Sequence, residues 1–228
     1  MDKKLECIRK AGVVVANILK RLKTEIKSGI SGKDLDQLAS QLMKEQGVQS
    51  SSLNYKFKQH IFPSSICVSV NHELTHGIPN DKPFQFGDLV SIDVACHYQG
   101  YHADAALTVL VEDTSQPNSL PTESTQQRKN LLKVTKNSLD YVIQNIKPNL
   151  TTNKDIGKML EKFILSRGYF PIAEYGGHGI GQNLHEAPFI PNSRHYSDIP
   201  EVIREGMFIC VEPLVQIGDS QVKVASDN

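Results

Sequence analysis

The stretch that decides the fold reads Gly87-Asp-Leu-Val-Ser-Ile-Asp93-Val-Ala-Cys-His97-Tyr-Gln-Gly100-Tyr-His-Ala-Asp104-Ala-Ala-Leu-Thr-Val-Leu-Val111. Two apolar runs flank a turn, and each run contains one aspartate. A two-residue loop at Tyr98-Gln99 predicts a β-hairpin in which Asp93 lies directly opposite Asp104. Like charges opposed in this way are destabilising. Either one carboxylate stays protonated or a cation offsets the repulsion, and a divalent metal ion is the natural candidate.

The composition predicts a globular chain in a reducing compartment, which favours the cytoplasm. Of its 228 residues, 39% are hydrophobic, which allows a large core. Lysine and arginine number 25, as do aspartate and glutamate, and this balance argues against a nucleic-acid or anionic-membrane partner. The four cysteines form no CxxC pair, as is typical of a reduced protein. We find no signal-peptide core and no apolar span long enough to cross a membrane.

The two halves of the chain repeat the same order of helical motifs. Each half opens with a long amphipathic helix, predicted at about residues 5–27 and 125–147, and continues with a second, shorter helix. Ser31 is the predicted N-cap of the shorter helix in the first half, and Thr151 or Thr152 in the second. Gly47 and Gly168 are the predicted stops.

The strand segments repeat as well, because Gly87-Asp-Leu-Val-Ser-Ile-Asp93 resembles Gly206-Met-Phe-Ile-Cys-Val-Glu212. We therefore expect one α+β domain with pseudo-repeats at about 1–115 and 122–228, in which two helix pairs cover one face of a curved antiparallel sheet. The site would lie on the other face. Chance similarity of amphipathic helices is the alternative. Residues 112–127 and 56–63 are predicted as loops, and 66–70 as a strand.

Four residues are candidate metal ligands: Asp93, Asp104, His178 and Glu212. Aspartate is disfavoured inside strands, although an edge hairpin with solvated acids is an alternative. Glu212 ends an apolar run, so it binds a partner or reaches water at the strand end. Pro213 after it would stop ladder pairing and direct the acid outward.

His178 lies in the glycine-rich segment Tyr175-Gly-Gly-His178-Gly-Ile-Gly181. The glycines allow close backbone approach and would leave the imidazole room to turn, although a structural or surface histidine is the alternative. His76 and His185 are predicted to contact substrate or to support the ligands. The remaining histidines are interpreted as loop or surface residues: His60, His72, His97, His102 and His195.

Three carboxylates and one imidazole form a hard, oxygen-rich donor set. Such a set disfavours a structural zinc of the thiolate type and favours a divalent site that keeps open positions. Two metal ions sharing carboxylates would fit the charge. A site of this kind activates water and polarises a carbonyl group.

At these residues the chain resembles the type I methionine aminopeptidases, whose pita-bread fold is shared with prolidase and aminopeptidase P. The similarity covers nearly the whole chain. The sequence motifs that carry the resemblance are Ser65-Ile-Cys-Val-Ser-Val-Asn71, His76-Gly-Ile-Pro79, Gly87-Asp-Leu-Val-Ser-Ile-Asp93, Gly177-His178-Gly-Ile-Gly181, His185-Glu-Ala-Pro188 and Val211-Glu212-Pro213.

The resemblance implies a metalloaminopeptidase that removes the N-terminal methionine from nascent proteins by attack of metal-activated water. Asp104 would bridge two ions (Co²⁺, Mn²⁺, Fe²⁺ or Zn²⁺), and Asp93 would serve one of them. Glu212 would bind metal and relay a proton. His185 would steady the oxyanion and His76 would contact the peptide. The methionine pocket is expected to include Cys67, Phe62 and His60.

The resemblance also implies a monomer that works near the ribosome exit region. The family has a further glutamate ligand on a final strand, which this chain does not reach, so we expect a C-terminally shortened domain with a weaker second metal site. A catalytically silent pita-bread protein that docks peptides or ribosomes is the alternative function. A proline-specific peptidase is a third, but those enzymes normally carry a further N-terminal domain.

Overall fold

The computed structural model describes residues 3–57, 59–112, 123–194, 199–218 and 221–223. The helices are α1 (Lys3–Glu25), α2 (Gly32–Glu45), α3 (Glu123–Asn145) and α4 (Asn153–Leu165). The strands are β1 (Gln49–Ser50), β2 (Lys56–Phe57), β3 (His60–Ile61), β4 (Cys67–Val70), β5 (Leu89–Tyr98), β6 (Tyr101–Leu110), β7 (Phe170–Pro171), β8 (Gly176–Gly179), β9 (Glu186–Pro191) and β10 (Val215–Gln216). In the described part of the chain, no helix combines the length and apolar character needed to span a bilayer.

The chain divides into two compact units. The first is Met1–Thr125 with Gly181–Leu184, and the second is Gln126–Ile180 with His185–Asn228. The first therefore contains α1, α2 and β1 to β6, and the second contains most of α3 together with α4 and β7 to β10. Each has its own cluster of buried apolar side chains.

Strand β5 is the centre of the sheet in the first unit. Strand β6 pairs antiparallel along the whole of one edge, while β4 and β1 pair with the two ends of the other edge. Since β5 is hydrogen-bonded on both sides, the alternative of a solvated edge hairpin is wrong for the strand that carries Asp93.

The two faces of β5 differ because side chains alternate along a strand. Val90, Ile92, Val94 and Cys96 are fully buried and belong to the core that includes apolar residues of α1 and α2. The intervening positions, which include Asp93, form the opposite face. The helices therefore cover one face only, which leaves the other available for polar side chains.

The shorter helix of each unit begins with a capping box. Ser31 accepts from the backbone N–H of Asp34, whose carboxylate accepts from the Ser31 N–H at 2.8 Å. Thr152 and Asp155 repeat this arrangement at the start of α4, with the return bond at 3.1 Å. The predicted N-caps are thus confirmed, and Thr152 is the second one.

The helices end close to the predicted glycines. Gly47 and Gly168 have φ angles of +66° and +76°, one or two residues beyond the caps. These left-handed conformations are the ones that stop helices at glycine.

The second unit is built around α4. Its core consists of apolar side chains of α3, α4, β9 and the segment near residue 203, namely Val142, Ile156, Leu160, Ile164, Ile190 and Ile203. Strand β9 pairs with β8 across an irregular register between His178 and Gly179, and β10 pairs with β7.

Three sequence predictions about the backbone are wrong. Residues 56–63 contain the short hairpin of β2 and β3 rather than only a loop. Residues 123–127 belong to α3, while 113–122 of that predicted loop lie outside the described residues. The apolar run 207–212 is not a ladder strand: it forms one isolated bridge, from Ile209 to Gly179.

Candidate metal centre

The observed register corrects the predicted pairing of the two aspartates. The turn residues are Gln99 and Gly100, with φ angles of +51° and +78°, as a type I′ turn requires at both central positions. Asp93 therefore faces Ala106, and Asp104 faces Ala95. The prediction of direct opposition is wrong because it placed the loop one residue too early.

The correction leaves both carboxylates on the same face. Moving the loop by one residue shifts each partner by two positions, and a shift of two preserves the face. Asp93 and Asp104 are thus diagonal neighbours, a relation in which Cα atoms lie about 7–8 Å apart in antiparallel sheets. Their mutual repulsion is weaker than direct opposition predicts, and two carboxylates at that spacing leave room for a cation.

Cys67 lies against this acidic face. It is buried on β4, where it pairs with Asp93. Burial raises the pKa of its thiol far above the usual range, and the charges of Asp93, Asp104 and Asp36 raise it further. Cys67 therefore stays a neutral thiol and provides an apolar wall beside the carboxylates.

Two histidines that the sequence assigned to loops or the surface lie on strands of this face. His97 and His102 pair across β5 and β6 with ring centroids 5.0 Å apart, and both are half-buried. Nδ1 of His102 lies 2.8 Å from the Ser51 hydroxyl. The prediction failed because it treated each histidine singly rather than by its position in the β5–β6 ladder.

In the second unit His178 is buried, with only 8% of its surface exposed. Its Nδ1 lies 2.8 Å from the carbonyl oxygen of Gly179. A carbonyl oxygen only accepts, so Nδ1 carries a proton, and Nε2 is the ring nitrogen that faces away from this contact. The expectation that the ring has room to turn is wrong, because this contact orients it.

The glycines around His178 are required by close backbone approach. A Cβ at Gly177 would overlap the Cys210 carbonyl, and one at Gly179 would overlap the Ala187 carbonyl. The Cys210 N–H donates to the His178 carbonyl at 2.7 Å. His178 is thus held between two chain segments that only glycine allows to pack so closely.

Glu212 meets His178 in an arrangement that calls for a cation. Oε1 of Glu212 lies 3.2 Å from Nε2 of His178. The distance is that of an ion pair, but Oε1 is buried and has no hydrogen-bond partner among the described residues. A lone pair facing a carboxylate oxygen is repulsive unless a positive charge is shared between them. These two atoms fit a metal ion, whose histidine ligands characteristically donate their other N–H to a carbonyl or carboxylate.

Asn192 positions the backbone of Glu212. It is fully buried, and its Nδ2 donates to the Glu212 carbonyl at 2.8 Å and to the Tyr175 carbonyl at 3.1 Å. Asn192 was not predicted from the sequence. An asparagine directly after the apolar residues 189–191 is the signal that could have indicated it.

The predicted substrate-contacting residues lie in different surroundings. His185 is exposed and packs edge-on against His178 with centroids 4.4 Å apart. His76, in the first unit, is exposed and has a φ angle of +57°. Phe62 is half-buried after β3, on which His60 is exposed. Of the predicted surface histidines, His72 is exposed and His195 lies outside the described residues.

Comparison with known proteins identifies the class of this chain. Residues 6–226 match the model of metallopeptidase family M24. The chain is 36% identical over 231 residues to the methionine aminopeptidase of Mycoplasma capricolum, an alignment that covers 99% of this chain and 84% of that protein. It is 38% identical over 226 residues to methionine aminopeptidase 1 of Bacillus subtilis, covering 99% and 85%.

A solved structure agrees with these matches. The crystal structure of methionine aminopeptidase from Thermotoga maritima superimposes with a TM-score of 0.88 at 34% identity, over 100% of this chain and 85% of that one. The chain belongs to metallopeptidase family M24. It is a metal-dependent hydrolase that uses divalent metal ions, and the predicted resemblance to methionine aminopeptidases and α+β pita-bread fold are confirmed.

Proposed function

We propose that the chain is an aminopeptidase that removes the N-terminal methionine of newly made proteins, and that Asp93, Asp104, His178 and Glu212 hold its metal ions. The observation that carries the ligand assignment is the approach of His178 Nε2 to the buried Glu212 Oε1 at 3.2 Å. The names of the relatives support the substrate. In this proposal both units act as one catalytic domain.

Each of these side chains would have its own role in peptide hydrolysis. When bound, a divalent ion polarises the scissile carbonyl and lowers the pKa of water. Glu212 accepts the proton of the attacking water and delivers it to the leaving amine. His178, held by Gly179, keeps Nε2 aimed at the reaction centre. Asp93 and Asp104 balance the positive charge.

Substrate contacts complete the proposal. His185 donates a hydrogen bond to the carbonyl oxygen as negative charge develops there, and His76 contacts the peptide beside the scissile bond. Cys67, Phe62 and His60 belong to the methionine pocket. The neutral, buried thiol of Cys67 suits contact with a thioether.

The ions are proposed to be two per chain, drawn from Co²⁺, Mn²⁺, Fe²⁺ or Zn²⁺, with the second held more weakly. Four protein ligands are few for two divalent cations, which supports unequal affinities. Calorimetric titration with Mn²⁺ or Co²⁺ should resolve one tight and one weak site. Two sites of equal strength contradict this part of the proposal.

We further propose a monomer that works in the cytoplasm near the ribosome exit region. None of the four cysteines forms a disulfide, which supports a reducing compartment. Sedimentation of the chain with and without ribosomes tests both the oligomeric state and the association. A stable dimer contradicts the first, and no co-sedimentation contradicts the second.

The decisive experiment measures methionine release from a Met-Gly-Met peptide. The chain loaded with Mn²⁺ or Co²⁺ should release methionine, and chelation should abolish release. His178→Asn should lower kcat/KM at least about 100-fold, since loss of a ligand should cost no less than loss of a group that supports one. Asp140→Asn, a change of a surface carboxylate on α3, is the matched control and should leave the rate unchanged.

The outcomes separate the proposed function from its alternative. A metal-loaded chain that binds the peptide without cleaving it would establish the silent binding protein. Cleavage only of peptides with proline in the second position would establish a proline-specific peptidase.

A further inference from the structure

A buried asparagine connects the two segments that carry His178 and Glu212 in the second unit. Asn192 follows β9 directly and is fully buried. Its Nδ2 donates to the carbonyl oxygen of Tyr175, shortly before His178, at 3.1 Å, and to the carbonyl oxygen of Glu212 at 2.8 Å. Both protons of the amide are therefore used, one for each segment.

The chemistry of the Asn192 amide fixes its orientation. If the group were turned by 180°, its oxygen would face two carbonyl oxygens, so the nitrogen lies on that side. The oxygen Oδ1 is buried and has no hydrogen-bond partner in the part of the chain that the structure describes. A buried acceptor without a donor lowers stability. This cost indicates that the amide does more than fill the core.

Helix α4 holds Asn192 in place. Residues 191–193 are all buried, and a Cβ at Gly157 of α4 would overlap the Ser193 carbonyl. Because the two backbones approach so closely at this glycine, Asn192 has little freedom to move. Its amide is thus a fixed point to which both segments are hydrogen-bonded.

The segment that carries Glu212 depends on this side chain for part of its position. Among the described residues, the Cys210 N–H donates to the His178 carbonyl at 2.7 Å. Beyond that bond, Pro213 has no N–H to donate, and the Glu212 carbonyl accepts from Asn192. The backbone at Glu212 is therefore held by a side chain instead of by a strand ladder.

We propose that Asn192 is a positioning residue of the metal centre, whose amide sets the spacing of the His178 and Glu212 side chains. Their ligand atoms, Nε2 and Oε1, lie 3.2 Å apart. The inference rests on the proposed role of these two residues as metal ligands. Asn192 is not itself a ligand, and it acts through the backbone of both segments. Replacing a residue that supports a metal ligand typically lowers metal affinity by about 10- to 100-fold.

The test compares metal affinity with folding stability in the full chain. Asn192→Ala removes both amide hydrogen bonds, and we expect its Co²⁺ affinity, measured by calorimetric titration, to fall at least about tenfold. The visible absorption bands of the bound Co²⁺ should change as well, because the spacing of the two ligands is no longer fixed.

Val142→Ala is the matched control for this variant. It removes buried methyl groups of α3 in the same unit. We expect a lower midpoint of urea unfolding, together with unchanged Co²⁺ affinity. An equal loss of Co²⁺ affinity in both variants would show that reduced stability is the cause, and would overturn the positioning role of Asn192.

The remaining outcomes separate this inference from the proposed function. If the wild-type chain and Asn192→Ala bind Co²⁺ equally well, the positioning role is wrong and the proposed function stands. If the wild-type chain binds no Co²⁺, the proposed metal centre and this inference are both refuted.

A second measurement uses the wild-type chain, so it does not depend on the folding of a variant. If the amide hydrogen bonds favour metal binding, metal binding favours these hydrogen bonds by the same factor. Saturating Zn²⁺ should therefore slow hydrogen exchange of the Asn192 side-chain amide about tenfold more than exchange of the Leu160 backbone amide, as measured by nitrogen-15 NMR. Leu160 is fully buried in α4 and reports the unfolding of the unit. Equal slowing at both sites overturns the proposal.

Discussion

In both units the shorter helix begins with the same capping box, but the two units hold their polar side chains in different ways. The caps of α2 and α4 have the same geometry, with Ser31 and Thr152 hydroxyls donating to Asp34 and Asp155 at 2.6 and 2.7 Å. Beyond the caps, the first unit carries its acids on a regular hairpin of two ten-residue strands. The second holds His178 on a four-residue strand of three glycines and one histidine.

This difference shows two ways to fix a ligand. A ladder fixes a side chain by register, so the position depends on the turn and on strand alternation. Glycine-lined backbone fixes it by close approach, so the position depends on which segments touch. The second arrangement excludes any side chain at Gly177 and Gly179, because a Cβ there would overlap a carbonyl group.

The largest expected effect concerns the register of the hairpin. The double change Asp104→Ala with Ala106→Asp moves one carboxylate from the diagonal of Asp93 to the position directly opposite. We expect metal affinity to fall at least about 100-fold, since the charge is kept but the donor is displaced. Calorimetric titration with Co²⁺ measures the affinity of the double variant, and Asp140→Asn is the control. Unchanged affinity would show that charge, not register, decides binding.

The next effect tests close approach in the second unit. Gly177→Ala places a methyl group against the Cys210 carbonyl, and we expect a loss of about 3 kcal/mol of unfolding free energy. Gly12→Ala in α1 is the matched control, because a Cβ there meets no heavy atom within 4 Å. That change should stabilise by up to about 1 kcal/mol. Urea denaturation measures the change in unfolding free energy of each variant. Equal changes for Gly177→Ala and Gly12→Ala would contradict the close backbone approach at Gly177.

A smaller effect concerns the turn between β5 and β6. Gly100 has a φ angle of +78°, so Gly100→Ala should cost about 1 kcal/mol. Gln99→Asn should instead stabilise by about 0.5 kcal/mol, because Asn-Gly suits a type I′ turn. Thermal unfolding measures both. A stabilising Gly100→Ala would be incompatible with the observed turn.

The smallest effects are the pH dependences of three aspartates. Hydrogen bonds from Ser31 and Thr152 lower the pKa values of Asp34 and Asp155 below the ordinary 3.8. Their stabilisation is therefore complete above pH 3.8 and is lost as the pH falls through the lowered values. Asp34→Asn and Asp155→Asn should each remove part of this acid-dependent loss.

Asp36 should behave with the opposite sign. Burial raises its pKa, although the backbone N–H groups of Ser65 and Ile66 bond to its carboxylate. Stability then falls as the pH rises from 3.8 through the raised value. Carbon-13 titration of the carboxyl groups should place Asp36 above 3.8 and the two capping aspartates below it. A common midpoint for all three would contradict these assignments.

Several features could be predicted because their causes are local. The caps, the helix stops and the long helices depend on side chains and backbone angles within a few residues. The hairpin was predicted, but its register was wrong, because the prediction did not use the preference of a type I′ turn for glycine at its second central position, which places the turn at Gln99-Gly100. The predicted face of each aspartate is nevertheless correct, because side chains on a strand return to the same face every two residues.

The apolar run before Glu212 shows where such patterns fail. Its residues predict a strand, yet only the bridge at Ile209 forms. Whether an apolar segment forms a β-ladder depends on whether another strand lies beside it in the folded chain.

The amino-acid sequence by itself determined the family, the helix boundaries and the types of donor, because each of these depends on residues that are close together in the chain. Only the tertiary structure decided which atoms meet, namely Nε2 of His178 and the buried oxygen of Glu212. These meetings come from segments far apart in sequence, whose separation is set by backbone packing at glycine rather than by any local preference.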